Sequence, residues 1–178
     1  MIVLASTSPQ RRAILEQLHI PFRVAAPSYV EAGNDPVEHA VGKARSVDGG
    51  GVPVLGVDTV VVLDGDVLGK PADADEARSM LARLSGRTHK VVSGLCLRTD
   101  EWEETVRAVT EVTFRTLTQD EIDEYVAARE WEGRAGAYAI QSLGAGLVER
   151  IEGDYLNVVG LPAAVLADVL RKREAARG

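Results

Sequence analysis

Residues 56–71 read GVDTVVVLDGDVLGKP, and this stretch decides the fold that the sequence predicts. The valine-rich run over residues 52–63 predicts a buried central strand, because branched apolar side chains pack well within a sheet. The pair Asp64-Gly65 is typical of a tight hairpin turn. The stretch therefore predicts a central strand that ends in a hairpin.

Two charged residues of this stretch are candidates for a functional site. Asp58 lies inside the apolar strand pattern, where an unpaired carboxylate is costly, so it needs a cation, a metal or hydrogen-bond donors. Asp64 and Asp66 are typical turn residues instead. Lys70 stands between a glycine and a proline, and a lysine held by such a turn can bind a phosphate as a point charge. An ordinary solvated loop lysine fits the same pattern equally well.

Strand and helix patterns are mixed along the rest of the chain. Further strands are predicted at residues 2–6, 22–26, 89–97, 105–116 and 144–152. Helices are predicted from residue 9 onward and at residues 36–47, 73–84, 118–128 and 162–172. The long consecutive strands in the middle indicate partly antiparallel pairing, so we expect an α/β domain with an elongated mixed sheet flanked by helices. A length of 178 residues suits one compact domain.

Composition narrows the classes of function. The net charge of -7 argues against broad nucleic-acid binding, which needs a basic surface, whereas a small anionic ligand needs only local donors and cations. Cys96 is the single cysteine, so we expect a buried thiol, without an internal disulfide or a thiolate metal cluster. The sequence shows no signal-peptide pattern and no membrane-spanning run, and we expect a cytoplasmic protein with no membrane partner.

The chain opens with MIVLASTSPQRRAILEQ, in which a predicted strand ends in a hydroxyl-rich turn before a helix. Free N–H groups and the positive end of a helix dipole attract an anion at such a place. Ser6 and Ser8 would add hydroxyl donors, and Arg11 a bidentate phosphate contact. Taken alone, the stretch is explained more simply by a plain helix cap followed by solvated arginines.

Other polar residues are candidates with simpler alternatives. His89 is a base, a donor or a strand-edge residue, with no second His or Cys at zinc-site spacing. Gln141 carries a donor and an acceptor suited to the edge of a base or sugar, although a backbone partner would also satisfy it. Glu31 would join Asp58 as a second oxygen ligand for Mg²⁺, and Lys43 would project from its helix into a cleft. The local sequence pattern alone predicts that the side chains of Glu31 and Lys43 are solvated.

Six fragments, in this order, resemble the Maf family of nucleoside triphosphate pyrophosphatases. They are LASTSPQRRAIL, VEHAVGKAR, LGVDTVVVLDGDVLGKP, EARSMLARLSGRTHKVVSG, GRAGAYAIQ and GDYLNVVGLP. Each is weak alone, but all six in this order are highly specific, and the resemblance covers nearly the whole chain. The family's opening motif usually has two arginines directly after Ser-Pro. Gln10 holds the first of those places here and Arg11 the second, so the resemblance assigns the phosphate role to Arg11.

The resemblance implies an inosine triphosphate pyrophosphatase-like fold, with two lobes and a central cleft in one domain over residues 1–178. It implies a homodimer, a Mg²⁺ or Mn²⁺ cofactor, and cleavage of a nucleoside triphosphate between its α and β phosphates. The fragments SGRTHKVVSG and AGAYAIQ are similar to the branch that acts on dTTP and UTP. A nucleotide-binding regulator of septum formation, with incidental hydrolysis, is the alternative.

The same resemblance implies roles for individual residues. Asp58, Lys70 and Arg11 are expected to be catalytic, with Asp58 orienting or deprotonating the attacking water. Glu31 and Asp58 are expected to hold the metal. The substrate-binding residues are expected to be Ser6, Ser8 and Lys43 at the phosphates, and Thr59, His89 and Gln141 near the base or sugar.

Overall fold

The computed structural model describes residues 1–176, in which strands and helices build a mixed α/β fold around one sheet. The strands are β1 (Ile2–Ala5), β2 (Phe22–Ala25), β3 (Val54–Leu63), β4 (Asp66–Leu68), β5 (Thr88–Arg98), β6 (Glu103–Phe114) and β7 (Val148–Glu152). The helices are α1 (Pro9–Gln17), α2 (Pro36–Arg45), α3 (Ala74–Leu84), α4 (Gln119–Ala127), α5 (Tyr155–Val159) and α6 (Ala163–Ala175). The predicted fold class is confirmed.

Parallel and antiparallel pairs coexist in the sheet, whose order is β2-β1-β3-β5-β6-β7 with β4 paired to β3. β1 runs parallel to both β2 and β3, whereas β3 with β4 and β6 with β7 are antiparallel pairs. The turn between β3 and β4 places Asp64 at φ 51° and Gly65 at φ 85°. Two consecutive positive φ angles are what a tight hairpin requires, so the hairpin predicted from Asp64-Gly65 is confirmed.

Contacts divide the chain into two compact units. The first comprises residues 1–59, residues 93–108 and the chain from residue 160 onward, and the second comprises residues 60–92 and 109–159. β3, β5 and β6 each contribute residues to both units. The prediction of a single domain concerns the whole chain, and it stays a prediction.

The first unit packs α2 closely against the strands. Its buried core consists of small and branched side chains and the free thiol of Cys96, whose pKa burial raises to about 12. A Cβ atom on Gly56 would overlap the carbonyl oxygen of Ala40, and one on Gly94 would overlap that of Pro36. Glycine at these two strand positions lets α2 approach β3 and β5, which brings its side chains within reach of the strands.

The second unit has a larger apolar core, in which α3 and α4 contribute Leu81, Leu84 and Val126 to a cluster with Phe114. Both helices start as their sequences predict. Asp73 accepts a hydrogen bond from the N–H of Glu76 at the start of α3, and Thr118 with Glu121 forms the predicted capping box of α4.

One predicted strand is partly wrong. Residues 143–147 form a 3-10 helix, and β7 begins only at Val148. Glycines at two of these five positions weaken a strand, and a Cβ atom on Gly144 would overlap the carbonyl oxygen of Ala139. The sequence analysis also missed α5, which follows Asp154. Within residues 1–176, no helix is both long and apolar enough to cross a membrane.

Candidate metal and phosphate site

The buried carboxylate of Asp58 is the centre of a charged cluster in the first unit. Asp58 lies on β3, and only 8% of the residue is exposed. The neighbouring helix α2 supplies two partners, His39, which is 4% exposed, and Lys43, which is 9% exposed. Positions four apart lie on one face of a helix, so α2 presents both side chains together. The helix begins at Pro36 and is capped by Asp35, whose carboxylate accepts from the N–H of Val37 at 2.9 Å.

Each carboxylate of the cluster divides its two oxygens between two partners. Lys43 Nζ lies 2.7 Å from Asp58 Oδ1 and 2.5 Å from Glu31 Oε1. His39 Nδ1 lies 3.1 Å from Asp58 Oδ2 and 4.0 Å from Glu31 Oε2. The ammonium compensates the buried Asp58, as a charge removed from water requires. The predicted pair of Glu31 and Asp58 is thus brought together, with Lys43 beside it.

The sequence analysis did not single out His39. Its Nε2 donates to the carbonyl oxygen of Ala32 at 3.1 Å, in the loop that carries Glu31. Burial opposes the positive charge of its imidazole, but the hydrogen bond to Ala32 and the contact with Asp58 outweigh that effect and raise the pKa. The signal in the sequence was its position four residues before Lys43.

A divalent cation fits this set of donors. Glu31, His39 and Asp58 each offer one ligand atom, and these three atoms lie within 4.8 Å of one another. Carboxylate oxygens are the usual ligands of Mg²⁺, and an imidazole nitrogen extends the choice toward transition metals. The arrangement can therefore bind a cation beside the middle of β3, without any cysteine ligand.

Arg11 lies in the same unit, and its guanidinium is fixed from three sides. Its Nε donates to the carbonyl oxygen of Gly160 at 2.9 Å, one terminal nitrogen donates to Ser6 Oγ at 3.3 Å, and the other donates to Thr59 Oγ1 at 3.3 Å. Burial lowers the pKa of Arg11, while the nearby carboxylates of Asp58 and Glu31 oppose that shift. The guanidinium is thus held within the electrostatic reach of the acidic cluster.

Hydrogen bonds at the start of α1 hold Ser8 and Gln10 in place. Ser8 caps the helix, with its Oγ 3.4 Å from the backbone N–H of Arg11, and the same hydroxyl donates to Gln10 Oε1 at 3.0 Å. Gln10 therefore engages the cap. Arg12 is exposed, whereas Arg11 is half-buried, and the predicted phosphate role of Arg11 stays a prediction.

The other three predicted site residues lie in the second unit. Lys70 is exposed in the loop after β4, and Gln141 is exposed in a turn before the 3-10 helix at residues 143–147. His89 is buried, and its Nε2 lies 2.7 Å from the hydroxyl of Tyr138. It packs edge-on against Phe114 and Tyr138, and burial lowers its pKa to about 4. The roles of these three residues toward a substrate stay predictions.

A cavity of about 790 Å³ also lies in the second unit, beside the start of α3. Asp73, Arg78, Arg129 and Trp131 are among its lining residues, and the predicted site residues are not. Arg78 and Arg129 are paired with carboxylates, at Asp123 and Glu132. This cavity is therefore separate from the charged cluster of Asp58 in the first unit.

Comparison with known proteins agrees with the six fragments. A family model described as Maf-like protein matches residues 1–173. The dTTP/UTP pyrophosphatase of Nitratidesulfovibrio vulgaris is 47% identical over 187 aligned residues, which cover 98% of this chain and 88% of that protein. The protein of that name from Pyrococcus furiosus is 43% identical, over 95% of this chain and 93% of its own length. The one from Bacillus velezensis is 42% identical, over 96% of this chain and 95% of its own length. The chain therefore belongs to the Maf family.

Proposed function

We propose that the protein hydrolyses nucleoside triphosphates, dTTP and UTP above all, to a nucleoside monophosphate and pyrophosphate. The observation that carries this proposal is the buried cluster of Asp58, Glu31, His39 and Lys43, with the fixed guanidinium of Arg11 in the same unit. A set of cation ligands near a phosphate-binding arginine suits cleavage of a polyphosphate. The relatives' name, dTTP/UTP pyrophosphatase, supports the substrate class.

The reaction adds water across one phosphoanhydride bond. The oxygen of water bonds to phosphorus, the bond to the bridging oxygen breaks, and pyrophosphate leaves. A bound divalent cation would neutralise charge on the phosphate oxygens. Asp58 is proposed to orient the attacking water and to accept its proton. Lys43 holds the carboxylates of Asp58 and Glu31 in place, and Arg11 binds a phosphate through its guanidinium, so positioning supplies much of the rate.

The remaining site residues are proposed to complete the substrate contacts. Ser6 and Thr59 orient Arg11 through their hydroxyls, and Ser8 is proposed to contact a phosphate from the start of α1. In the second unit, we propose that Lys70 binds a phosphate, that Gln141 reads the pyrimidine, and that His89 lies close to the base or sugar. The resemblance also supports a homodimer in the cytoplasm, with Mg²⁺ or Mn²⁺ as its cofactor. Light scattering on the purified protein tests the dimer.

Identification of the products tests the proposal. The protein is incubated with UTP and excess Mg²⁺ or Mn²⁺, and ³¹P NMR follows the phosphorus species. UMP with pyrophosphate is the expected result. UDP with orthophosphate would instead identify a different phosphatase, and tight binding of UTP without turnover would favour the division regulator. An identical preparation of Asp58→Asn controls for contaminating phosphatases.

A further inference from the structure

The two carboxylates of the charged cluster leave one oxygen each for a ligand other than Lys43. Lys43 Nζ contacts Asp58 Oδ1 and Glu31 Oε1. The opposite oxygens, Oδ2 and Oε2, both face His39 Nδ1, at 3.1 and 4.0 Å. A cation at Oδ2, Oε2 and Nδ1 would therefore bind without displacing the ammonium.

The hydrogen bond of His39 Nε2 decides whether Nδ1 is available as a metal ligand. The carbonyl oxygen of Ala32 can only accept, so His39 Nε2, 3.1 Å away, is the donor of that bond. In the neutral ring, Nδ1 then carries a lone pair that points toward Asp58 Oδ2. Two lone pairs at that separation repel unless a proton or a cation lies between them. Metal-binding histidines commonly donate their second nitrogen to a backbone carbonyl in this way.

Packing holds the ring in this orientation. His39 lies on α2, which the glycines of the neighbouring strands allow to approach closely. The ring of Tyr29 packs beside the imidazole, with 6.0 Å between the ring centres. The nitrogen is therefore presented by a rigid helix, whereas Glu31 comes from an exposed loop. A helix-borne nitrogen with a buried strand carboxylate is a preorganised half of a metal site.

We propose that His39 Nδ1 is the third protein ligand of the cation, together with Asp58 Oδ2 and Glu31 Oε2. One nitrogen and two oxygens favour first-row transition metals over Mg²⁺, because imidazole is a softer ligand than carboxylate or water. The inference rests on the proposed metal-dependent function. It adds a ligand that neither the six fragments nor the carboxylate pair indicated.

Pulsed electron paramagnetic resonance with Mn²⁺ tests this directly. Tag-free protein is loaded with MnCl₂ in the absence of nucleotide, and electron spin echo modulation reports nitrogen bound to the manganese. The wild type is expected to show the pattern of a coordinated ¹⁴N imidazole, and labelling with ¹⁵N-histidine should replace it with the ¹⁵N pattern. His39→Gln should lose the modulation and bind Mn²⁺ about 10- to 100-fold more weakly. Its Mg²⁺ affinity should change about threefold or less, since oxygen ligands and water dominate Mg²⁺ binding.

His19→Gln is the matched control, because His19 is exposed, and this variant should keep the wild-type signal and affinity. Absence of nitrogen modulation in the Mn²⁺-loaded wild type would overturn the proposal whatever the variants do. Persistence of the modulation in folded His39→Gln would overturn it as well. Nitrogen modulation in a protein that yields no pyrophosphate would contradict the proposed function and leave the ligand assignment intact.

Discussion

Two histidines of this chain are almost completely buried, and their surroundings move their pKa values in opposite directions. His39 is 4% exposed and His89 is 1% exposed. The pKa of His39 is raised, because its contacts with Ala32 and Asp58 outweigh burial. The pKa of His89 is lowered to about 4, because its aromatic neighbours do nothing to offset burial. Burial alone therefore does not decide what a histidine does.

The difference separates a candidate reaction centre from a packing cluster. In the first unit, His39 joins two carboxylates and an ammonium, an arrangement that can accept a cation. In the second unit, His89 forms a hydrogen bond with the hydroxyl of Tyr138 and packs against Phe114. These contacts keep a neutral imidazole inside an apolar core. Substitutions in the first cluster should therefore reduce catalysis, and those in the second should reduce stability.

Asp58→Asn is expected to have the largest effect. The amide keeps the shape of the side chain but removes the negative charge for the cation and the basic oxygen for water, so kcat should fall about a thousand-fold or more. Pyrophosphate release measures it, with circular dichroism to show that the variant folds. Asp66→Asn, an exposed hairpin residue paired with Arg83, is the control and should retain full activity. Near-normal turnover in folded Asp58→Asn would remove Asp58 from the reaction centre.

Arg11→Ala should lower kcat/KM for UTP about 100-fold, because a fixed charge-assisted phosphate contact is lost. Arg12→Ala should change it about threefold or less, since that side chain is exposed and points about 100° away around the helix. The pair is a matched control within one helix. Equal losses would show that both arginines reach the phosphates and that Gln10 has altered the phosphate site.

His89 is expected to make the protein sensitive to acid. Its folded pKa of about 4 lies below the ordinary value of 6.5, so the unfolded chain binds the proton more tightly. Above pH 6.5 the imidazole is neutral in both the folded and the unfolded chain, and the free energy of unfolding has its full value. As the pH falls toward 4, protonation of the unfolded chain lowers the free energy of unfolding by about 3 kcal/mol in total. Urea unfolding measures the free energy of unfolding at pH 7.0 and 4.5. Its decrease between the two pH values should be about 2 kcal/mol smaller in His89→Gln than in wild type.

The same variant distinguishes packing from substrate contact. At pH 7, folded His89→Gln should keep kcat/KM for UTP within about threefold of wild type if the residue acts through packing. A tenfold loss with an unchanged pH dependence of stability would instead support the predicted contact with the base or sugar, and the contrast between the two histidines would then no longer hold.

Gln141→Glu should reduce activity less than Asp58→Asn or Arg11→Ala does. An ionised carboxylate cannot donate to a pyrimidine carbonyl, so kcat/KM for dTTP and UTP should fall about tenfold, the cost of one unpaired polar contact. GTP should lose less than UTP. A panel of dTTP, UTP, CTP, GTP and 7-methyl-GTP measures this. Equal losses for all five would show that Gln141 supports the site without reading the base, and a wild-type preference for guanine nucleotides would contradict the pyrimidine assignment.

Local chemistry explains what the sequence predicted well. The hairpin at Asp64-Gly65, the cap at Thr118 and the burial of Cys96 follow from backbone preferences or periodicity alone. The separation of Arg11 from Arg12 required the family motif, since helix spacing shows only that the two face different ways. The need of Asp58 for a compensating group was anticipated because a buried carboxylate is costly, but its partners His39 and Lys43 were not.

Features that depend on tertiary packing were missed. His39 looked like an ordinary helix residue, because its role depends on how closely α2 approaches β3, which the glycine at position 56 permits. Residues 144–147, which belong to a 3-10 helix, were assigned to a strand, because an apolar, glycine-containing run does not distinguish the two. His89 was proposed near the substrate from its motif, and only the structure shows its contact with Tyr138.

The central claim is that the Asp58 cluster holds the cation that acts on the triphosphate. The most direct test is a crystal of the protein grown with Mn²⁺ and α,β-imido-UTP, whose modified bridge resists cleavage, with anomalous scattering recorded at the manganese edge. We predict an anomalous peak within bonding distance of Asp58, Glu31 and His39 that also contacts the phosphate oxygens of the analogue. A peak bound to the triphosphate alone, away from Asp58, would contradict the account.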